Sequence, residues 1–496
     1  MKPSSVRLGS VLSAVLLTAA AAWVTACSGS GGDAPVAGGD AGSPDVVSPV
    51  DGGRPLACGD GKLDDDELCD GDTVACSSLG AVWGGGQATC RSDCSGYDVT
   101  ACAASGQRAE VVYPAKRMER FADAKCNDGT PFDFEISPSP SGSHKWIIYF
   151  QGGGFCDGTY GKCTGRVAAL TSSTGMGEDR AVSTVLDDGK NFFSRDPAVN
   201  PELFDATIVR AHYCSSDLWT GTNATPQPIK AKGGVEPWVF MGHRNATAVI
   251  DVLRRNYGLD DATADILFAG GSAGGFGASQ NLDQLVDRMP RAAASTRIAF
   301  MASSFWNAGT WNDAQYTMFG SGKADMVVTT DIMATFKGVA NSRCVPIAAG
   351  QGLPVSACLS GPLVYPAIVK PPPVGLGIRA FVGQNRTDQL YMGQHMLPLE
   401  SDTLTPQERA ARDAWKTQMT TSMEGVLWLY APADPNRAGE ENLHGIFNDA
   451  ALWTYDTGGG VTMKSMVSAF WKSRAPGAPG QRVLLEGELP HGNVQD

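Results

Sequence analysis

From residue 110 onward the chain carries six apolar runs of strand length: Trp146–Phe150, Ala206–Arg210, Ile266–Ala269, Arg297–Ala302, Ile378–Val382 and Val426–Tyr430. Most end in glycine or polar residues. Their apolarity is continuous rather than alternating, which suits strands buried on both faces of a parallel sheet. Helical patterns fall between them. Arg244–Tyr257 sets Ala246, Val249, Ile250 and Leu253 on one face, with Gly258 as a C-terminal stop. Ala278–Arg288 reads as a second helix and Val461–Trp471 as the last one. Thr405-Pro406-Gln407-Glu408 is a helix start, with a hydroxyl cap, proline in the first turn and glutamate three residues after the cap. Strands alternating with helices in this way predict an α/β fold with a doubly wound, mostly parallel sheet over 108–496.

The N-terminal part shows a different pattern. Lys2 and Arg7 precede an apolar stretch, Val11 to Trp23, too short for a membrane span, so residues 1–27 read as a targeting segment. It ends in Val24-Thr25-Ala26-Cys27, which resembles a bacterial lipobox and implies a lipid-modified Cys27. The expected location is outside the cytoplasm, anchored to the outer membrane or cell surface or released from it. Residues 28–56 are mostly Gly, Ala, Ser, Pro and Asp, too poor in large apolar side chains to offset the entropy of ordering. They predict a disordered tether with a reach of about 30 Å r.m.s..

Residues 57–103 hold Cys58, Cys69, Cys76, Cys90, Cys94 and Cys102 among few aliphatic residues, and a stretch this small needs covalent staples to fold. Cys58-Gly-Asp-Gly, Cys69-Asp-Gly, Leu79-Gly80 and Thr89-Cys90 resemble the cysteine-rich repeats of myxobacterial surface proteins. The spacings lack a C-x2-C zinc knuckle. The acidic run Asp60, Asp64, Asp65, Asp66 and Glu67 offers calcium ligands but departs from the EF-hand pattern, lacking its glycine at the sixth position, and reads better as a solvated loop. No metal and no cofactor are expected.

Composition narrows the function classes. The 496 residues carry a net charge of −13, so nothing supplies the basic face a nucleic acid needs. No apolar run of 18 residues follows the N-terminal segment, leaving the lipid as the expected attachment to the membrane. If Cys27 carries lipid, twelve of the thirteen cysteines remain, an even number that can pair completely in an oxidising compartment.

The candidate chemistry begins where Ile266–Ala269 runs into Gly270-Gly271-Ser272-Ala273-Gly274-Gly275 and then a helix. Strand, G-x-S-x-G, helix is the arrangement that exposes a nucleophilic serine on a strained turn at a helix N-terminus. Glycine-rich turns also serve packing, but a second one, Gln151-Gly152-Gly153-Gly154-Phe155-Cys156, follows the strand Trp146–Phe150 and fits an oxyanion loop. The base must be one of six histidines: His144, His212, His243, His395, His444 or His491. The chain order Ser, acid, His leaves His395, His444 and His491, of which His444 lies beyond the strand Val426–Tyr430 and before the last helix. A structural or solvated role suits His395 and His491. Asp388, just past the strand Ile378–Val382, is the expected acid, with Asp434 and Asp449 as rivals.

Cys126-Asn-Asp-Gly-Thr-Pro131, Gly152-Gly-Gly-Phe-Cys156 with Cys163, Tyr213-Cys214, Gly242-His-Arg244, Gly270-Gly-Ser-Ala-Gly-Gly275 and His444 together resemble the pectin acetylesterase family, which includes the animal Notum carboxylesterases. The resemblance spans most of Cys126 to Lys472. It implies an α/β-hydrolase with Ser272 as nucleophile, Asp388 as acid, His444 as base and an oxyanion hole from Gly153, Gly154 and Ala273. It also implies a Cys156–Cys163 disulfide, with Cys126–Cys214 and Cys344–Cys358 as the remaining pairs, although six cysteines permit 15 connectivities. Gln151, Phe155, Gly271 and Gly445 stand where the family usually has Glu, Trp, Cys and often Cys, departures expected to touch the pocket wall.

The expected activity is hydrolysis of an acyl ester, acetyl first, on an extracellular carbohydrate polymer. Two alternatives stay open: a long-chain fatty-acyl hydrolase of the Notum type, and a surface binding protein on an inactive hydrolase fold.

Overall fold

The computed structural model describes residues 58–161, 163–173, 189, 191–294, 297–309, 317–399, 404–433, 444–473 and 479–486. Cys27, the tether, Asp434 and His491 lie outside them.

Three short strands, β1 (Thr73–Ala75), β2 (Gln87–Cys90) and β3 (Tyr97–Asp98), form a small antiparallel sheet. It is braced by Cys58–Cys94, Cys69–Cys90 and Cys76–Cys102, a connectivity that spacing alone left open. Then come β4 (Glu110–Val112), β5 (Phe134–Ser137), β6 (Lys145–Phe150) and β7 (Thr207–Ala211), followed by a hairpin of β8 (Asn223–Ala231) and β9 (Gly234–Phe240). The remaining strands are β10 (Asp265–Gly271), β11 (Ile298–Ser303), β12 (Arg379–Gly383), β13 (Trp428–Ala433) and β14 (Arg482–Glu486). Nine of these strands make one sheet in the order β14-β13-β12-β11-β10-β6-β7-β5-β4. Every pair from β14 to β7 is parallel, and β5 and β4 close one edge antiparallel.

All six expected strands are present, displaced by at most two or three residues. The continuous apolar runs are buried as that pattern requires: every residue of β7, β10, β11 and β13 is buried, because helices cover both faces. Helix α1 (Gly242–Tyr257) ends at Gly258, whose φ of 75° lets its N–H reach the Leu253 carbonyl. Helix α2 (Ala273–Asp287) starts five residues earlier than Ala278, directly after Ser272, because the run of small residues packs inside the first turns rather than preceding them. Helices α3 (Asp325–Phe336), α4 (Pro406–Ser422) and α5 (Met463–Lys472) complete the set used below. In α4 the capping box is formed at both ends, Glu408 N–H to Thr405 Oγ1 and Thr405 N–H to Glu408 Oε2.

The disulfide-rich segment is seated on the C-terminal end of α1. Arg255 Nε donates to the Leu68 carbonyl at 2.7 Å and Asn256 Nδ2 to the Leu79 carbonyl at 2.8 Å. Trp83 Nε1 donates to the Asn256 carbonyl at 3.0 Å. Leu68 and Val82 are buried in the same apolar cluster as β6 and α1, so this segment shares the main core.

The chain direction places the chemistry. β6 has β7 on one side and β10 on the other, so the winding of the sheet reverses between β6 and β10. The loops leaving the C-terminal ends of strands at such a switch point part to form a crevice. Those two loops are Gln151–Cys156 and Ser272.

Candidate active site

Ser272 has φ 53° and ψ −125°, a strained backbone for a residue with a side chain. The strain is held from both directions. Its N–H donates to the Ser303 carbonyl at the end of β11 at 2.9 Å, and its carbonyl accepts from Gly275 N–H at 2.9 Å. Two positions on, a Cβ on Gly274 would lie 1.9 Å from the Phe150 carbonyl oxygen, so only glycine lets α2 start against β6. The turn therefore lifts the serine hydroxyl out of the sheet, at the N-terminal end of a fifteen-residue helix.

The glycine-rich loop lies against this turn. Gly152 approaches so closely that a Cβ on it would be 3.3 Å from Ser272 Cβ. Gly154 and Ala273 line the same cavity as Ser272, and Ala273, at the start of α2, holds one of the amides that have no partner within their own helix. Gly153 sits one step behind, its carbonyl accepting from Arg166 Nη1 at 2.7 Å.

Residues not singled out from the sequence hold this loop in place. Trp219 Nε1 donates to the Gln151 carbonyl at 3.1 Å, and its ring stacks on Tyr213 and meets Phe150 edge-on. Asp217 fixes Trp219 in turn, accepting from Trp219 N–H, Ser215 Oγ and Gly242 N–H. Burial pushes the Asp217 carboxyl up to about 6. Ser216, Leu218 and Trp219 all have positive φ. That conformation leaves no trace in residue types, so the sequence pattern does not single the segment out.

Asp388 and His444 meet at the neighbouring strand ends. Asp388 follows β12 by five residues and caps the short helix Gln389–Gln394: Oδ1 accepts from Leu390 N–H at 2.9 Å. Its Oδ2 accepts from His444 Nδ1 at 2.7 Å. Asp388 is buried while the His444 side chain keeps 28% of its surface. Tyr391, one turn from Asp388, lies with its ring centroid 6.4 Å from that of His444 and lines the Ser272 cavity.

The other histidines sit elsewhere. His395 is buried against Asp325 at 2.9 Å, and His212 against Asp133 at 3.0 Å. His243 is held near a pKa of about 4 by burial, and His144 meets Thr263 Oγ1 at 2.9 Å. Asp449, the rival acid, spends its carboxylate capping Ala450–Thr454.

Among the described residues the cavity at Ser272 has a volume of about 50 Å³ and is walled mainly by Phe155, Phe276, Met318, Ile332, Leu359 and Tyr391. Cys156, bonded to Cys163, closes the end of the glycine loop, and Cys126–Cys214 and Cys344–Cys358 are also bonded. Of the four departures expected at the pocket wall, Phe155 alone lines this cavity. Gln151 turns back to accept from Tyr213 N–H at 3.1 Å, and a Cβ on Gly271 would face Tyr149 Oη and Ser303 Oγ.

Residues 109–335 match the family model described as pectinacetylesterase. The stretch includes the glycine loop and Ser272, and ends before Asp388 and His444. The chain is 27% identical over 341 residues to the palmitoleoyl-protein carboxylesterase notum1a of Danio rerio, covering 66% of this chain and 62% of that protein. It is 33% identical over 173 residues to pectin acetylesterase 5 of Arabidopsis thaliana, covering 34% and 37% respectively. The crystal structure of the Wnt deacylase Notum from Drosophila superposes with a TM-score of 0.58 at 22% identity, covering 76% of this chain and 97% of that one. The fold is a Notum-like α/β-hydrolase fold. The matches support the pectin acetylesterase/Notum-type family. The chain spans less than two thirds of the length of its curated Notum relatives. The six disulfides fit an exported protein.

Proposed function

We propose that the chain is a serine carboxylic-ester hydrolase working through Ser272, His444 and Asp388. What supports this reading is a strained serine with a glycine loop packed on it, together with a carboxylate-bound, partly exposed histidine beside Tyr391, which lines the Ser272 cavity. His444 Nδ1–H is committed to Asp388, which fixes the tautomer and leaves Nε2 as the basic nitrogen. Nε2 takes the Ser272 proton as Oγ bonds to the acyl carbonyl carbon. The oxygen that becomes negative is stabilised by the amides of Gly153, Gly154 and Ala273 and by the N-terminus of α2. The tetrahedral intermediate expels the alcohol, which takes the proton back from His444. Water, deprotonated by the same nitrogen, then attacks the acyl-serine and releases the acid.

The substrate side of the proposal is a short acyl group, acetyl first, on an extracellular carbohydrate polymer. The cavity supports the short chain: an apolar cavity of about 150 Å³ holds a benzene ring, and this one has about a third of that room. The long-chain alternative requires a deeper apolar channel. Lipid attachment at Cys27 and the tether over 28–56 would hold the enzyme at the cell surface, within reach of polymers that cannot enter the cell. An activated fluorophosphonate tests the core claim. It should label Ser272 stoichiometrically and abolish hydrolysis of 4-nitrophenyl acetate. Absence of labelling on a folded, full-length protein would favour a binding protein on an inactive hydrolase fold.

A further inference from the structure

The acidic run near the start of the disulfide-rich segment divides in two. Asp60, Asp65 and Asp66 are exposed, as a solvated loop requires. Glu67 is not: it keeps 1% of its surface. Its Oε2 accepts from Asp64 N–H at 3.2 Å. Its Oε1 is buried and, among the described residues, has no hydrogen-bond partner. A carboxylate oxygen withdrawn from water and left unpaired is costly, so it calls for a positive charge or a donor. Basic groups that reach the residues beside it bond to other atoms. Lys62 pairs with Asp64, Arg120 Nη1 donates to the Asp65 carbonyl at 2.5 Å, and Arg255 Nε donates to the Leu68 carbonyl. What lies beside Glu67 is a second carboxylate: an Asp70 oxygen is within 4.8 Å of one of its own. Asp70 Oδ1 accepts from Gly59 N–H at 2.6 Å, so its position is fixed as well.

We propose that Glu67 and Asp70 hold a calcium ion. Calcium binds oxygen at roughly 2.3–2.6 Å, so two oxygens on one ion are separated by about 5 Å or less, and the two carboxylates meet that condition. Cys94 Sγ lies within the same radius, but it is bonded to Cys58 and offers no thiolate, which leaves an all-oxygen, hard-cation site. Calcium tolerates irregular coordination completed by backbone carbonyls and water, whereas magnesium demands near-octahedral geometry. The ion would join the two ends of the loop between Gly59 and Asp70. That loop presents the Asp65 and Leu68 carbonyls to Arg120 and to Arg255 of α1, so the cation would also consolidate the seam between the disulfide-rich segment and the rest of the fold. This inference does not rest on the esterase reading.

The test uses the full-length protein stripped with a chelator. Calorimetric titration with calcium chloride should show one site of Kd about 0.1–1 mM, the range of extracellular calcium modules. Thermal unfolding should move upward in excess calcium and return with EGTA. Glu67→Gln and Asp70→Asn should each weaken binding about tenfold or more, with hydrolysis of 4-nitrophenyl acetate unchanged. No calcium-dependent heat or melting shift in the wild-type protein would overturn the proposal, whatever the variants do. So would wild-type affinity in both variants, or an equal shift from magnesium at the same concentration. Should Glu67→Gln fail to fold, Asp70→Asn and the wild-type titration still decide.

Discussion

Asp388 divides its carboxylate between two tasks, Oδ2 accepting from His444 Nδ1 at 2.7 Å and Oδ1 capping the helix that carries Tyr391. Because the cap fixes the acid, the acid fixes the imidazole. Among the described residues there are two other Asp–His pairs, His212 with Asp133 and His395 with Asp325, but their histidines are buried and none of the four lines the cavity at Ser272. The Asp388–His444 pair is distinguished by a histidine side chain that keeps 28% of its surface and lies beside Tyr391, a residue of the cavity wall.

Ser272→Ala and His444→Ala should therefore each reduce kcat on 4-nitrophenyl acetate by roughly 10⁴-fold or more, and the double variant should be little worse, since the two act as one unit. Asp388→Ala should lose less activity. It should also lose about 1 kcal/mol of stability in urea unfolding, because the helix cap goes with it. Unchanged turnover in Ser272→Ala would end the serine-hydrolase reading.

Gly274→Ala is predicted to disturb the fold. The added methyl would overlap the Phe150 carbonyl oxygen, a backbone group of the central strand that has no room to move. A loss of at least about 2 kcal/mol is expected from urea midpoints, with activity falling alongside. Wild-type stability in this variant would mean that β6 and α2 are not in the close contact described.

Trp219→Phe keeps the ring packing on Tyr213 and Phe150 but removes the donor to the Gln151 carbonyl. If that bond positions the glycine loop, kcat should fall by about three- to tenfold, the worth of one hydrogen bond. KM should change little. A change in KM alone would assign Trp219 to substrate binding rather than to loop positioning.

The strands of the parallel sheet were legible because burial on both faces leaves an unbroken apolar run in the sequence. The flanking elements were not: β14 alternates exposed and partly buried residues, and β8 carries Pro226 and Pro228 among polar residues. The strained turn at Ser272 was legible because sterics force glycine around it. Trp219 and Asp217 were not, since their task is defined by contacts across the fold rather than by spacing. The acidic run of the disulfide-rich segment read correctly at its exposed positions and failed at Glu67, where tertiary packing alone decides burial.

His243 supplies a pH signature. Burial lowers its pKa to about 4, well below the 6.5 of an exposed imidazole. Between those values the unfolded chain binds the proton and the folded one does not, so stability is full above pH 6.5 and declines as pH falls toward 4. The contribution lost is up to about 3 kcal/mol. Urea midpoints measured from pH 7 to 4 should show this decline, and His243→Gln should flatten it. An identical slope in the variant would place the titration elsewhere.

The last prediction concerns chain length. Each methylene an enzyme buries is worth about 0.8 kcal/mol, or about fourfold in kcat/KM, provided the cavity has room for it. With about 50 Å³ bounded by Met318, Ile332 and Phe276, room runs out early. Acetate and propionate esters of 4-nitrophenol should therefore be turned over best, and octanoate at least about tenfold more slowly. Ile332 sits on α3 and faces the cavity, so Ile332→Ala should add space and shift the optimum toward butyrate without touching Ser272, His444 or Asp388. On acetylated xylan or mannan the wild type should release acetate. A higher kcat/KM on octanoate than on acetate would overturn the short-chain assignment and move the enzyme toward long-chain acyl substrates, while leaving the proposed Ser272–His444–Asp388 chemistry intact.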